Sequence, residues 1–115
     1  MPLHENMKSA KIIEEIIDYL LENDYRKIDT FMDITKEETK IKVVVHIKEK
    51  SLLKKFKNEF NCFRDIELEE YGWELSNDIG HVNSLDALGT LIDNYEITED
   101  DNQCIIILHR INNKN

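Results

Sequence analysis

Helical and strand-like spacings of apolar residues alternate along this chain. Between residues 8 and 24, apolar pairs recur every four positions: Ile12 with Ile13, Ile16 with Ile17, Leu20 with Leu21. That spacing draws one broad stripe at a 3.6-residue period and predicts an amphipathic helix, with Glu14, Glu15, Asp18 and Glu22 mostly outside the stripe. Asn6 or Ser9 can cap its start, and Asn23 with Asp24 can end it. β-Branched isoleucine is a mediocre helix former, so the helix must be held by packing against a sheet.

Strand-like spacing follows. Over residues 27–34, Ile28, Thr30, Met32 and Ile34 alternate with Asp29, Phe31 and Asp33. Over 40–48, Ile41, Val43, Val45 and Ile47 alternate with Lys40, Lys42, Val44, His46 and Lys48. Period-two alternation turns one set toward a core and the other toward solvent. The polar residues 35–39 between them have hairpin length, so the two strands are expected to pair antiparallel. Asp29 and Asp33 are then expected near lysines of the neighbouring strand.

Residues 51–60 return to helical spacing, with Leu52, Leu53, Phe56 and Phe60 on one side. A helix over 66–76 is expected after Asp65, with Leu68, Tyr71 and Leu75 inward, and residues 77–83 form the best loop candidate. A last helix opens at Asn83 or Ser84 and turns Leu85, Leu88, Leu91, Ile92 and Tyr95 inward. A second hairpin over 95–98 and 103–111 ends the chain. Its run Cys104, Ile105, Ile106, Ile107, Leu108 is apolar on both faces and suits an interior strand. The order of elements predicts an α+β two-layer sandwich, a four-stranded, mainly antiparallel sheet with helices on one face.

Composition narrows this picture. The 115 residues fit a single domain, residues 1–115, with 1–7 and 112–115 expected to fray. Fifteen basic residues against twenty-four acidic ones give a net charge of −9. Such a field repels phosphate backbones and anionic membrane surfaces, so neither nucleic acid nor membrane is an expected partner. The densest basic stretch, residues 48–57, reads as a solvated helix face. No secretory pattern opens the chain, and Cys62 and Cys104 have no metal or redox spacing. Two reduced thiols in a cytoplasmic protein are expected.

Candidate chemistry is sparse. His4, His46, His81 and His109 have no His or Cys partner at a ligand spacing, so no metal site is expected; His46 and His109 both fall in strands and can in principle approach across the sheet. Serine nucleophiles lack the strand–turn–helix elbow. Glu67, Glu69, Glu70 and Glu74 read as an acidic helix face, and Trp73 lies off the apolar stripe beside it. Glu67, Glu70 and Trp73 therefore form the candidate partner-binding surface.

The element order resembles the ATP-binding domain of the chaperone–gyrase–histidine-kinase superfamily, the Bergerat fold, in reduced form. Residues 84–93, with Gly89, followed by 104–109 look like that fold's closing helix and strand. The stretch Leu68-Glu69-Glu70-Tyr71-Gly72-Trp73-Glu74-Leu75 also resembles small clostridial-type sensor-histidine-kinase-domain proteins. Glu14 and Asp18 stand at the superfamily's Glu-x-x-x-Asn spacing, with Asp in place of Asn. Where an Asp-x-Gly-x-Gly motif is expected the chain has Lys48-Glu49-Lys50-Ser51, and the glycine-rich lid is reduced to Gly89, with Gly80 upstream. Those glycines let main-chain amides approach phosphates. The resemblance with these losses implies a non-catalytic regulatory or protein-interaction domain without a cofactor, working with a protein partner or as a homodimer; Phe31 and Val44 on the outer sheet face suit the latter. The alternative it implies is a residual Mg-ATP-binding domain of a sensor histidine kinase or anti-sigma-type serine kinase. Glu14 would then be the base, with Asp18 and Gly89 binding the cofactor.

Overall fold

The first apolar stripe becomes α1 (Leu3–Glu22) in the computed structural model, which describes residues 3–48, 51–62, 64 and 84–112. The helix starts upstream of the stripe and buries Ile12, Ile16, Tyr19 and Leu20. Its end is a double latch. The Tyr25 N–H bonds to the Leu20 carbonyl and the Asp24 N–H to the Leu21 carbonyl, each at 3.1 Å. Asp24 takes the left-handed conformation this motif needs, with φ 67°.

Residues 23–27 then lead into β1 (Ile28–Ile34), which pairs antiparallel with β2 (Glu38–His46). The connecting turn is closed by Thr35, whose N–H reaches the Glu38 carbonyl at 2.8 Å and whose hydroxyl oxygen accepts the Glu38 N–H at 3.0 Å. α2 (Leu52–Glu59) buries Leu52 and Phe56. The third described helix, α3 (Ser84–Leu91), packs on α1 and buries Leu85, Ala87, Leu88 and Leu91. β3 (Asn94–Glu99) and β4 (Gln103–Ile111) form the closing hairpin. Its turn is built on Asp100, whose carboxylate accepts the Asn102 and Gln103 N–H groups at 2.9 Å.

The sheet runs β1-β2-β4-β3 with every pairing antiparallel. β4 is interior, as its two-sided apolar run requires. Ile41, Val43, Val45, Cys104, Ile106 and Leu108 form the buried face beneath the helices. Tyr19, Phe56, Phe60 and Tyr95 meet edge-on or tilted, at centroid distances of 4.8 to 5.8 Å, and join α1, α2 and β3. This is the expected α+β two-layer arrangement. None of the described helices is long and apolar enough to cross a membrane.

Three local expectations are corrected. α1 begins at Leu3, so Asn6 and Ser9 lie inside it and do not cap its start. Tyr95 belongs to β3, not to the preceding helix, which ends at Leu91. Just beyond that end, the Asp93 carboxylate accepts the Ile111 N–H at 2.7 Å and the Arg64 guanidinium at 2.9 Å. The third concerns β1. Its register places Ile28, Thr30, Met32 and Ile34 on the core face opposite Val45, Val43, Ile41 and Thr39. Yet only Ile28 is even half-buried, and the other six residues of the strand are exposed. Alternation assigned the face correctly, but the described helices do not extend over it.

The polar end of the sheet is closed by buried groups. Arg110 has no solvent exposure and donates to the Leu91 carbonyl at 2.7 Å. Asn112 accepts the Thr39 hydroxyl at 3.0 Å and donates to the Thr35 carbonyl at 2.8 Å. Among the described residues, no buried side-chain nitrogen or oxygen lacks a hydrogen-bond partner.

Candidate functional site

Glu14 and Asp18 lie one turn apart on α1, both exposed, with the buried Glu15 beside them. One carboxylate oxygen from each of the three can be chosen so that all lie within 4.8 Å of one another. A cation already serves this group: the Lys11 ammonium is 3.0 Å from Glu15 and 3.3 Å from Glu14. Burial would lower the Lys11 pKa, but its hydrogen bonds to, and charge attraction from, Glu15 and Glu14 outweigh that and raise it. The cluster is therefore partly neutralised from within.

Gly89 is buried inside α3, where a Cβ would overlap the main-chain carbonyl oxygen of Asn61. Its amide belongs to the helical ladder, and its missing side chain lets the chain after α2 pass close to α3. Glu67, Glu70 and Trp73 lie outside the described residues, as does the loop expected over 77–83.

His46 and His109 point to the same outer sheet face but do not meet. His46 stands opposite Gln103 on β4, while His109 stands opposite Lys40. The two are six positions apart along the strands, or about 20 Å. His46 lies 3.5 Å from Asp29. Both ring nitrogens of His109 are engaged, Nδ1 by Glu38 at 2.6 Å and Nε2 by Glu96 at 2.9 Å. Burial would depress its pKa, but these two bonds and the carboxylate charges raise it. Such a ring ties β2 to β3 across β4 and has no nitrogen left over for a metal.

The Cys104 thiol is inert. Cys104 is fully buried, and burial, with a smaller contribution from the Glu99 charge, pushes its pKa up to about 12. Cys62 is half-buried and donates to the Ile92 carbonyl at 3.2 Å.

A cleft of about 660 Å³ opens where α1, β1, β2 and α2 converge, lined among others by Tyr25, Arg26, Lys27, His46 and Lys48. Arg26 is committed there to the end of α1, donating to the Leu21 and Tyr25 carbonyls at 3.0 and 3.1 Å. The cleft lies at the C-terminal end of α1 and borders the start of β1.

The most unusual surface is β1 itself. Phe31 is 57% exposed on the outer face, and Met32 and Ile34 are 37% and 42% exposed on the inner face. Asp29 pairs with His46, Phe31 stands opposite Lys42, and Asp33 opposite Lys40. The Lys42 ammonium sits 5.9 Å from the Phe31 ring centroid. β1 is also an edge. The His46 N–H to Lys27 carbonyl bond at 3.0 Å and the Thr35 N–H to Glu38 carbonyl bond at 2.8 Å fix which residues face β2. With the register they assign the odd-numbered residues of β1 to β2. The main-chain groups of Ile28, Thr30, Met32 and Ile34 consequently point away from the sheet. The alternating pattern predicted this strand, but only the folded arrangement reveals that none of the described helices covers it. No protein-family model, curated protein or solved structure matches the chain.

Proposed function

We propose that this chain is a non-catalytic regulatory or protein-interaction domain that engages its partner through the β1 side of its sheet. The observation that carries this is the uncovered edge strand, with Phe31, Met32 and Ile34 exposed on two faces. Folded proteins commonly protect such edges by charge, brevity or cover, because an open row of N–H and C=O groups templates strand addition. Three large apolar residues on a seven-residue edge strand are the composition of a contact rather than of a protected edge. The acidic segment with Glu67, Glu70 and Trp73 is proposed as a second contact, on its sequence alone.

Descent from a histidine-kinase-like ATP-binding scaffold remains part of the proposal, resting on the sequence resemblance. The alternative, residual Mg-ATP binding, uses Glu14 and Asp18 as base and magnesium ligand. Lys11 weighs against it by neutralising one of the two, Glu14, together with the neighbouring Glu15. So does Gly89, which fills a packing role against Asn61.

Calorimetric titration with Mg-ATP separates the two readings. No saturable heat is expected, and dye binding to apolar surface should be lost in the Phe31→Lys, Met32→Lys double variant. A saturable Mg-ATP enthalpy abolished by Asp18→Ala would overturn the interaction-domain proposal.

A further inference from the structure

We infer that the occupant of the β1 edge is a second copy of this chain, added antiparallel about a twofold axis at Thr30, so that two four-stranded sheets become one. This rests on the proposed role of β1 as a contact surface and names the partner.

Hydrogen-bond parity comes first. The outward main-chain groups belong to residues 28, 30, 32 and 34, so an added strand must pair even-numbered residues with even-numbered ones. For a twofold contact between identical strands this leaves a small set of registers, centred on Thr30, Phe31 or Met32.

Charge then selects among them. Centring on Phe31 sets Asp29 opposite Asp33 twice, a like-charge pair on directly facing positions. Centring on Met32 sets Asp33 against Phe31 and gives neither aspartate a basic partner. Centring on Thr30 sets Lys27 opposite Asp33 twice. On the inner face it sets Ile28 opposite Met32 twice, placing the exposed Met32 against apolar surface. Asp29 then faces Phe31 but keeps His46 of its own chain at 3.5 Å. Within residues 27–34 the Thr30 register alone of the three pairs charges of opposite sign, and its pairs are doubled by symmetry; the Lys27–Glu37 pair of the Met32 register would need the β1–β2 turn to join the added strand.

The described helices leave this strand uncovered. Six of the seven β1 residues are exposed, so the strand is open on both faces.

Sedimentation velocity over a concentration series on the whole chain tests the inference. The native chain is expected to dimerise. Asp33→Lys and Lys27→Asp should each weaken the dimer about tenfold, and the charge-swapped double variant should restore it. Both positions are exposed, and the double variant controls for any local effect on the strand. A tighter dimer with Asp33→Lys would overturn the Thr30 register, because that change relieves the Asp29–Asp33 clash of the Phe31 register. A chain monomeric at its highest soluble concentration would overturn the second copy as occupant. If that monomer still binds apolar dye through Phe31 and Met32, the contact-surface role survives; if it does not, both fall.

Discussion

Gly89 lies so close beneath the main-chain carbonyl of Asn61 that a single added methyl group would overlap its oxygen. The contact involves backbone on one side and a helix interior on the other, so relief requires a main-chain shift rather than a side-chain rotation. An ordinary helix would gain roughly 1 kcal/mol from Gly→Ala. Here overpacking of about 1–3 kcal/mol opposes that gain. Gly89→Ala is expected to lower the thermal midpoint, by a few degrees or more, in the absence of any ligand. A raised midpoint in a thermal melt would show that the glycine is not needed for packing and reopen a ligand role.

His109 supplies a pH dependence with a defined sign. Its folded pKa lies above the ordinary 6.5, because Glu38 and Glu96 hold the charged form more strongly than burial disfavours it. Its contribution to stability is complete below the unfolded value and is lost as pH rises through the folded one. The stability difference between the native chain and His109→Gln should therefore be larger near pH 6 than near pH 8.5. Urea denaturation at both pH values measures it. A gap that widened with rising pH would contradict the assignment of both carboxylates to this ring.

Phe56 has no solvent exposure and touches Tyr19, Phe60 and Tyr95. Its truncation to alanine should cost about 3–5 kcal/mol. That is a large part of the stability of a small domain, so Phe56→Ala is expected to be largely unfolded well below the native midpoint. Circular dichroism melts would check this, and a shift of only a degree or two would mean that α2 is not integral to the core.

Periodicity carried most of the fold. Ile12, Ile16 and Leu20 marked the buried side of α1, and the two-sided run around Ile106 marked an interior strand. It failed at Tyr95, which continues the spacing of Leu88, Leu91 and Ile92 but follows the polar break Asp93-Asn94. It also failed at Met32 and Ile34, for a different reason. Alternation tells which face a side chain occupies, whereas coverage depends on how far the helices reach across the sheet. The Gly89 contact left one trace in the sequence, a glycine inside a helix, but its partner Asn61 is remote along the chain. The Lys11 bridge to Glu14 and Glu15 was readable from three- and four-residue spacing. It bears directly on the acidic pair that resembled a nucleotide site.

The central claim is that the β1 edge is a contact surface, and amide hydrogen exchange reads that edge directly. The N–H groups of Ile28, Thr30 and Met32 point away from β2, and among the described residues no strand lies beyond them in a single copy. If a second strand occupies the edge, these amides exchange slowly at high protein concentration. They should become fast on dilution or in the Phe31→Lys, Met32→Lys variant, while the amides of residues 29, 31 and 33 stay protected throughout. Fast exchange of these three edge amides at every concentration, with no partner added, would contradict the self-paired edge.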